Sequence, residues 1–324
     1  MSSRATAISI AVGALIIAAT VVAVVTVRHG IVAETSRPSE PSGISAPSTS
    51  SRPSDASAGD PVLLAAGDIA DCDSTGDDAT AALLDGVEGT VLALGDLAYP
   101  SGTAGDFANC YAPTWGRHAA RTRPVPGNHD YETQGAAGYF GYFGAAAGDP
   151  SQGWYSYDLG AWHVVALNSL CAAVGGCGPG SPQEQWLRAD LAAHPAPCTL
   201  AYWHHPRFSS AQHGSDATYD AFWQALYEAH ADVVLVGHDH VYERFAAQSP
   251  GGAADAGGIR QFTVGTGGRS HYEFGAPIAN SELRDNTTYG VLELTLRASG
   301  YEWEFVSVAG GTFTDVGSAS CSPL

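Results

Sequence analysis

The chain has 324 residues, 45% of them hydrophobic, which suffices for one large domain or two small ones with a substantial core. It carries a formal charge of −19, and its 14 basic residues are all arginine. Residues 1–60 balance four arginines against four acids, so the excess charge belongs to the rest of the chain, whose acidic surface repels phosphate backbones and argues against a nucleic-acid binding module.

Behind a short N-terminal cap (1–4), residues 5–27, "ATAISIAVGALIIAATVVAVVTV", form an uncharged run long enough to cross a bilayer as one helix. The run exceeds the roughly 7–15-residue apolar core of a cleaved signal peptide, and Ile31-Val32-Ala33 makes a mediocre cleavage site. An uncleaved signal anchor is therefore expected, with cleavage as the alternative. Arg4 precedes the run and Arg28 with His29 follows it, so flanking charge does not set orientation. Residues 28–60 lead through a Ser- and Pro-rich stretch with almost no large apolar side chain, which cannot offset the entropy of ordering and is expected to be an extended tether. All six cysteines lie beyond it, at 72, 110, 171, 177, 198 and 321. An even set behind an export segment predicts disulfides and places residues 61–324 outside the cytoplasm, anchored at the cell surface or secreted. None of the six lie two to four apart, the spacing a zinc cluster would use. Of fifteen pairings, we expect Cys72–Cys110, Cys171–Cys177 and Cys198–Cys321; only the short 171–177 loop has local support.

Within 61–324 one event recurs five times: a short aliphatic run stops abruptly at Gly, Asp, Asn or His. "PVLLAAGD" ends at Asp68, "TVLALGDLAY" at Asp96 with Tyr99 close behind, and "RPVPGNHDY" turns at Asn128 and His129. "CTLAYWHHP" reaches His204, and "VLVGHDHVYER" reaches His238 and His240, which as i and i+2 would share one face of a continuing strand. Between these runs lie helical patterns such as 181–193, "SPQEQWLRADLAA", with Ser181 as N-cap, Pro182 at the first helical position and Trp186, Leu187 and Leu191 on one face. Alternation of strands and helices predicts an α/β fold. Near the end, "IRQFTVGTGG", "YGVLELTLRAS" and "YEWEFVSV" read as successive antiparallel strands and predict a second sheet. In open α/β sheets ligands gather at the carboxyl ends of strands, where all five polar turns fall. Two Asp, one Asn, three His and a Tyr form a mixed oxygen and nitrogen donor set suited to zinc, iron or manganese rather than calcium.

The ordered blocks GD (67–68), GDLAY (95–99), GNHD (127–130), a strand ending in His204, and GHDHVYER (237–244) resemble the calcineurin-like metallophosphoesterases, and within them the purple acid phosphatases. The resemblance implies a sandwich of two mixed β-sheets flanked by helices and two metal ions bridged by Asp96. It implies ferric iron held by Asp68, Asp96, Tyr99 and His240, and a divalent zinc, manganese or iron held by Asp96, Asn128, His204 and His238. His205, adjoining His204, is expected behind the ligands. Tyr99 distinguishes the purple acid branch, since the wider superfamily has a histidine where this chain has Ala70; the purple acid pattern itself has glycine there.

The activity so implied is hydrolysis of small phosphate esters, monoesters first, with hydroxide generated at the metals attacking phosphorus. His129 is the candidate proton donor to the leaving oxygen, with Asp130 orienting or charging its ring, and His213 is a candidate substrate contact. His271 in the glycine-rich "GTGGRSHY" is a further candidate for the cleft. The rival readings are a phosphodiesterase using the same metals and a catalytically silent surface binding module. A serine hydrolase would want a Gly-x-Ser-x-Gly elbow, which the chain lacks.

Overall fold

Short buried runs of Val, Leu and Ala, each stopped by a turn residue, set the strands that position the site. The computed structural model describes residues 59–323, so the apolar run of 5–27 and nearly all of the tether lie outside the described residues. Among the described residues no helix is long and apolar enough to cross a membrane.

In chain order the strands are β1 (Val62–Ala66), β2 (Thr90–Leu94), β3 (Thr122–Val125), β4 (Tyr155–Leu159), β5 (Trp162–Ala166), β6 (Cys198–Tyr202) and β7 (Val233–Val236). They continue with β8 (Tyr242–Phe245), β9 (Arg260–Val264), β10 (Ser281–Asp285), β11 (Gly290–Arg297), β12 (Gly300–Ser307) and β13 (Val316–Ser320). One sheet runs β13-β12-β11-β1-β2-β3 and the other β10-β8-β9-β7-β6-β5-β4. Both are mixed: β1, β2 and β3 are parallel, as are β5, β6, β7 and β9, while the remaining neighbours pair antiparallel.

Strand alternation divides the core in two. Val164, Ala166, Leu200 and Tyr202 share one apolar cluster with Leu63, Leu92 and Leu294 of the other sheet. Their neighbours Val165, Ala201 and Trp203 point the opposite way, into a cluster with Leu187 and Leu191 of the helix Pro182–Ala193 and Phe222 and Leu226 of the helix Asp220–Glu228. Two facing sheets with helices outside are the expected architecture. Pro182–Ala193 also forms as predicted: the Ser181 hydroxyl accepts the Glu184 amide at 3.3 Å, Pro182 follows, and Leu187 and Leu191 are buried.

The tail departs from the expectation. β11 and β12 do form an antiparallel hairpin, from Gly290↔Ser307 to Arg297↔Gly300. β9, however, belongs to the other sheet, parallel to β7 and antiparallel to β8. Its run Gln261–Val264 is wholly buried, as a strand covered on both faces is, and lacks the in-out alternation of β11 and β12.

All three expected disulfides are present: Cys72–Cys110, Cys171–Cys177 and Cys198–Cys321. The carboxyl ends of the two sheets meet at one edge, where the Gly67 amide donates to the Val264 carbonyl at 2.9 Å and the His204 ring reaches the Leu94 carbonyl at 2.8 Å.

Candidate metal centre

Each strand that ends at this edge delivers its polar residue through a sharp turn. Asp68, Asp96 and His238 have φ of 58°, 53° and 69°, the left-handed region that costs a non-glycine residue about 1–2 kcal/mol. Three strained positions in one cleft mark a geometry the surrounding fold enforces. Two glycines of the repeated motif are needed for clearance: a Cβ on Gly127 would lie 2.1 Å from Asp96 Oδ1, and one on Gly95 would lie 2.5 Å from the His204 ring. Glycine before the polar residue is thus what lets the turns close on one another.

The seven side chains expected as ligands come together. Tyr99 Oη lies 3.1 Å from Asp96 Oδ2, 3.2 Å from Asp68 Oδ1 and 3.2 Å from His240 Nε2, and His240 Nε2 is 3.3 Å from Asp68 Oδ1. On the other side of Asp96, His204 Nε2 lies 3.3 Å from Asp96 Oδ2 and 3.2 Å from Asn128 Oδ1. The His238 ring stands 5.1 Å from that of His204, and its backbone amide donates to Asp68 Oδ2 at 2.9 Å. The Asp96 carboxylate meets side chains of both groups, Tyr99 on one side and His204 on the other. Asp68, Asp96, Tyr99, His204 and His240 are all nearly inaccessible to solvent.

This donor set fits cations. His204 donates Nδ1–H to the Leu94 carbonyl, so its other nitrogen presents a lone pair to a carboxylate oxygen and an amide oxygen. Burial opposes an imidazolium here, yet the Asp96 carboxylate outweighs it and raises the His204 pKa to about 9. A site that draws a second proton onto a fully buried imidazole is built to hold positive charge. The Asp96 carboxyl, despite the penalty of burial, is held below the usual carboxylate range by His204 and His129. Burial, then Asp96 and Asp68, push the Tyr99 phenol well above its ordinary value, so only a cation would make it a phenolate ligand. Burial, reinforced by the neighbouring imidazoles of His204, His205 and His213, pushes the His238 pKa down and leaves its ring neutral, the form that binds metal. Asp68, Asp96 and His204 bring donor atoms within 4.8 Å of one another, as do His204, His205 and His238.

Residues around the donors hold them in place. His240 Nδ1 bonds the Ser270 hydroxyl at 2.8 Å, and its ring stacks on Tyr272 at 3.9 Å. His205 is turned behind the ligands: its Nδ1 pairs with the Ser169 hydroxyl at 2.8 Å, while its ring lies 4.2 Å from that of His238. Buried Asp239 accepts the Ser209 hydroxyl and, at 3.0 Å, the His213 amide, which fixes the loop that sets the exposed His213 ring 4.2 Å from His238.

His129 is at the edge of the centre, its amide 2.8 Å from Asp96 Oδ1 and its ring 4.5 Å from that of Tyr99. Asp130, expected to orient that ring, is otherwise engaged. Its carboxylate accepts the Gly127 amide at 2.8 Å and the Leu97 amide at 3.3 Å, and the His129 ring is instead held by the Pro100 carbonyl, 2.6 Å from Nδ1. Full burial and the charge of Asp96 raise the Asp130 pKa to about 7. His271 is a second correction. Its ring stacks on Tyr289 at 4.3 Å, while its neighbours face the centre: Ser270 and Tyr272 hold His240, and Arg269 lies 5.0 Å over the Tyr99 ring. The glycine-rich segment does reach the centre, through Arg269, Ser270 and Tyr272, while the His271 ring turns to Tyr289.

Comparison with known proteins follows the same lines. The family model described as Calcineurin-like phosphoesterase matches residues 60–242. The chain belongs to that family. Purple acid phosphatase 15 of Arabidopsis thaliana is 29% identical over 191 residues, 48% of this chain and 35% of that protein. Purple acid phosphatase 22 of the same plant is 34% identical over 125 residues, 36% of this chain and 27% of that protein. The match thus spans about a third of the length of these curated relatives. Among solved structures, the purple acid phosphatase PPD1 from yellow lupin (Lupinus luteus) seeds superposes with a TM-score of 0.62 at 19% identity, covering 80% of this chain and 53% of that one. GAP50, the anchor in the inner membrane complex of Plasmodium, superposes with a TM-score of 0.60 at 14% identity, covering 82% and 89%. At these identities the likeness establishes the fold. In this chain the five motif turns fall within the matched region, and the tail strands β9 to β13 complete the two sheets.

Proposed function

We propose that the chain hydrolyses phosphate monoesters at a centre of two metal ions, one ferric and one divalent, and that it acts outside the cytoplasm. The observation that carries this reading is the convergence of seven donor side chains, Asp96 with three on either side of it, from the ends of five strands. Asp68, Tyr99 and His240 would hold one ion and Asn128, His204 and His238 the other, with Asp96 between them. Two adjacent cations supply, when bound, neutralisation of phosphoryl charge and acidification of water near neutral pH. They also reconcile an anionic substrate with a chain of charge −19. Three disulfides support an oxidising setting.

The remaining work falls to the chain's own residues. His129 commits Nδ1–H to the Pro100 carbonyl, so Nε2 is the nitrogen that can deliver a proton to the leaving oxygen. Asp130 is a positioning residue: by gripping the Leu97 and Gly127 amides it fixes the backbone beside Asp96 and Asn128. Asp239 does the same for the His213 loop.

The test compares turnover of nitrophenyl phosphate and bis(nitrophenyl) phosphate by the oxidised, metal-loaded full chain. A strong preference for the monoester is expected. Preference for the diester would replace this reading with a phosphodiesterase, and no turnover of either with both metals bound would contradict hydrolysis.

A further inference from the structure

Beside the metal centre lies a cavity of about 560 Å³, within the size range of small-molecule sites, which the catalytic reading does not use. Its walls include Tyr131, Ser169, Leu170, His205, Asp216 and Tyr219. It shares His205 with the metal centre: one side of that ring meets His238 at 4.2 Å, and Tyr219 stacks against it at 5.8 Å. The walls are pinned. Tyr219 donates its hydroxyl to the Ser169 carbonyl at 3.1 Å, Asn168 donates to the Tyr131 hydroxyl at 2.9 Å, and Cys171–Cys177 closes the loop that carries Ala172 and Ala173. No arginine lines the cavity, the chain has no lysine, and the one carboxylate in the wall is Asp216.

We infer that this cavity receives the alcohol portion of the substrate and selects phosphate monoesters of uncharged, apolar, aromatic alcohols over esters that carry a second phosphate. The inference rests on the phosphomonoesterase reading and names its substrate class. Two rings, Tyr131 and Tyr219, offer aromatic surface, and Leu170 with the alanines adds apolar contact. A second phosphate would find no cationic side chain and would face Asp216. With pinned walls, little ordering cost attends binding.

The test uses the metal-loaded full chain and two variants on different walls, Ala172→Trp and Thr218→Trp, at exposed positions outside the metal centre. Each is assayed with 1-naphthyl phosphate, ethyl phosphate and fructose 1,6-bisphosphate. Each ester is compared between parent and variant, so leaving-group reactivity cancels. The parent should favour naphthyl phosphate over the bisphosphate, and each variant should raise KM for naphthyl phosphate about tenfold with kcat kept, leaving ethyl phosphate unchanged, because filling the cavity removes binding shared by ground and transition states. Equal changes for both monoesters, or none, would overturn the cavity assignment alone. Turnover of the bisphosphate as fast as naphthyl phosphate by the parent would overturn the charge selection. No turnover of any ester by the parent with both metals bound would remove the hydrolase reading and the cavity assignment together.

Discussion

Two clusters of histidine and aspartate lie at opposite ends of the parallel strands β5, β6 and β7, the one at the carboxyl end being shared with the other sheet. At the carboxyl end stands the metal centre; near the start of β5 stands His163, with Asp158, Asp190 and His194. Both groups bring donor atoms within 4.8 Å of one another. Hydrogen-bond accounting separates them. His163 gives one ring nitrogen to Asp158 at 2.8 Å and the other to Asp190 at 2.9 Å, and Asp190 also accepts the Ser156 hydroxyl at 2.8 Å. Every donor there meets an acceptor, so the cluster is complete as an ion-paired network. At the candidate metal centre acceptors outnumber donors: the one Tyr99 hydroxyl proton is faced by Asp68 Oδ1, Asp96 Oδ2 and His240 Nε2, and His204 Nε2 by Asp96 Oδ2 and Asn128 Oδ1. The His163 and His194 rings are moreover nearly parallel, 5.0 Å apart at 15°, so their in-plane lone pairs do not converge on a common point. Proximity of ligand-type residues is common to both; a surplus of acceptors over donors marks only one.

Four substitutions test that distinction, from the largest effect down. Asp96→Asn removes the carboxylate both metal groups share, and kcat/KM should fall by at least about a thousandfold, the upper end of what one charge-stabilising donor supplies. Activity near the parent's would break the assignment of Asp96 as the bridge. His129→Ala should slow esters of poor leaving alcohols by about a hundredfold while sparing good ones. Equal slowing of both would remove the proton-donor role.

In the other cluster, His163→Gln should destabilise the fold by about 3 kcal/mol in denaturant titration, the scale for breaking a buried pair, with metal content unchanged. Loss of metal instead would blur the comparison. The pH dependence has a definite sign. Burial lowers the His163 pKa, but the bonds to Asp190 and Asp158 more than reverse that, so its contribution is full below about 6.5 and fades as pH rises through the higher folded value. Burial raises Asp190, but His163 and Ser156 more than reverse that, so its contribution holds above about 4 and fades on acidification. The stability that His163→Gln removes should therefore be largest between about pH 4 and 6.5. The smallest effect is expected of Ser270→Ala, which frees the His240 ring and should weaken metal affinity about tenfold, as loss of a ligand's orienting partner typically does. An unchanged affinity would show that stacking on Tyr272 alone orients the ring.

What could be read from the sequence was what is local. An apolar run stopped by glycine and one polar residue signals a strand end, and all seven expected donors meet there because parallel strands bring their ends to one edge. The helix behind Ser181 was legible for the same reason, its cap and apolar stripe lying within thirteen residues. What depended on distant pairing was not. β13, "VGSAS", is half exposed and carries no alternation of its own, and β9 could not be assigned to its sheet without knowing that β7 and β8 flank it. The partners of the candidate site residues were hidden likewise: Pro100 holds His129 across 29 residues, and Ser270 holds His240 across 30. Asp130 adjoins His129 in sequence, yet its carboxylate turns to Leu97, 33 residues away. Neighbours in sequence on a tight turn diverge in space, which is why adjacency misled there.

The central claim is that the surplus of acceptors at five strand ends is there to hold two cations. Its most direct test is the metal content of the full chain, equilibrated with iron and zinc and then desalted, measured beside its visible spectrum and that of Tyr99→Phe. The account predicts two ions per chain and a visible band that vanishes in Tyr99→Phe while the fold persists. One ion or none, or a band that survives loss of the phenol, would contradict it.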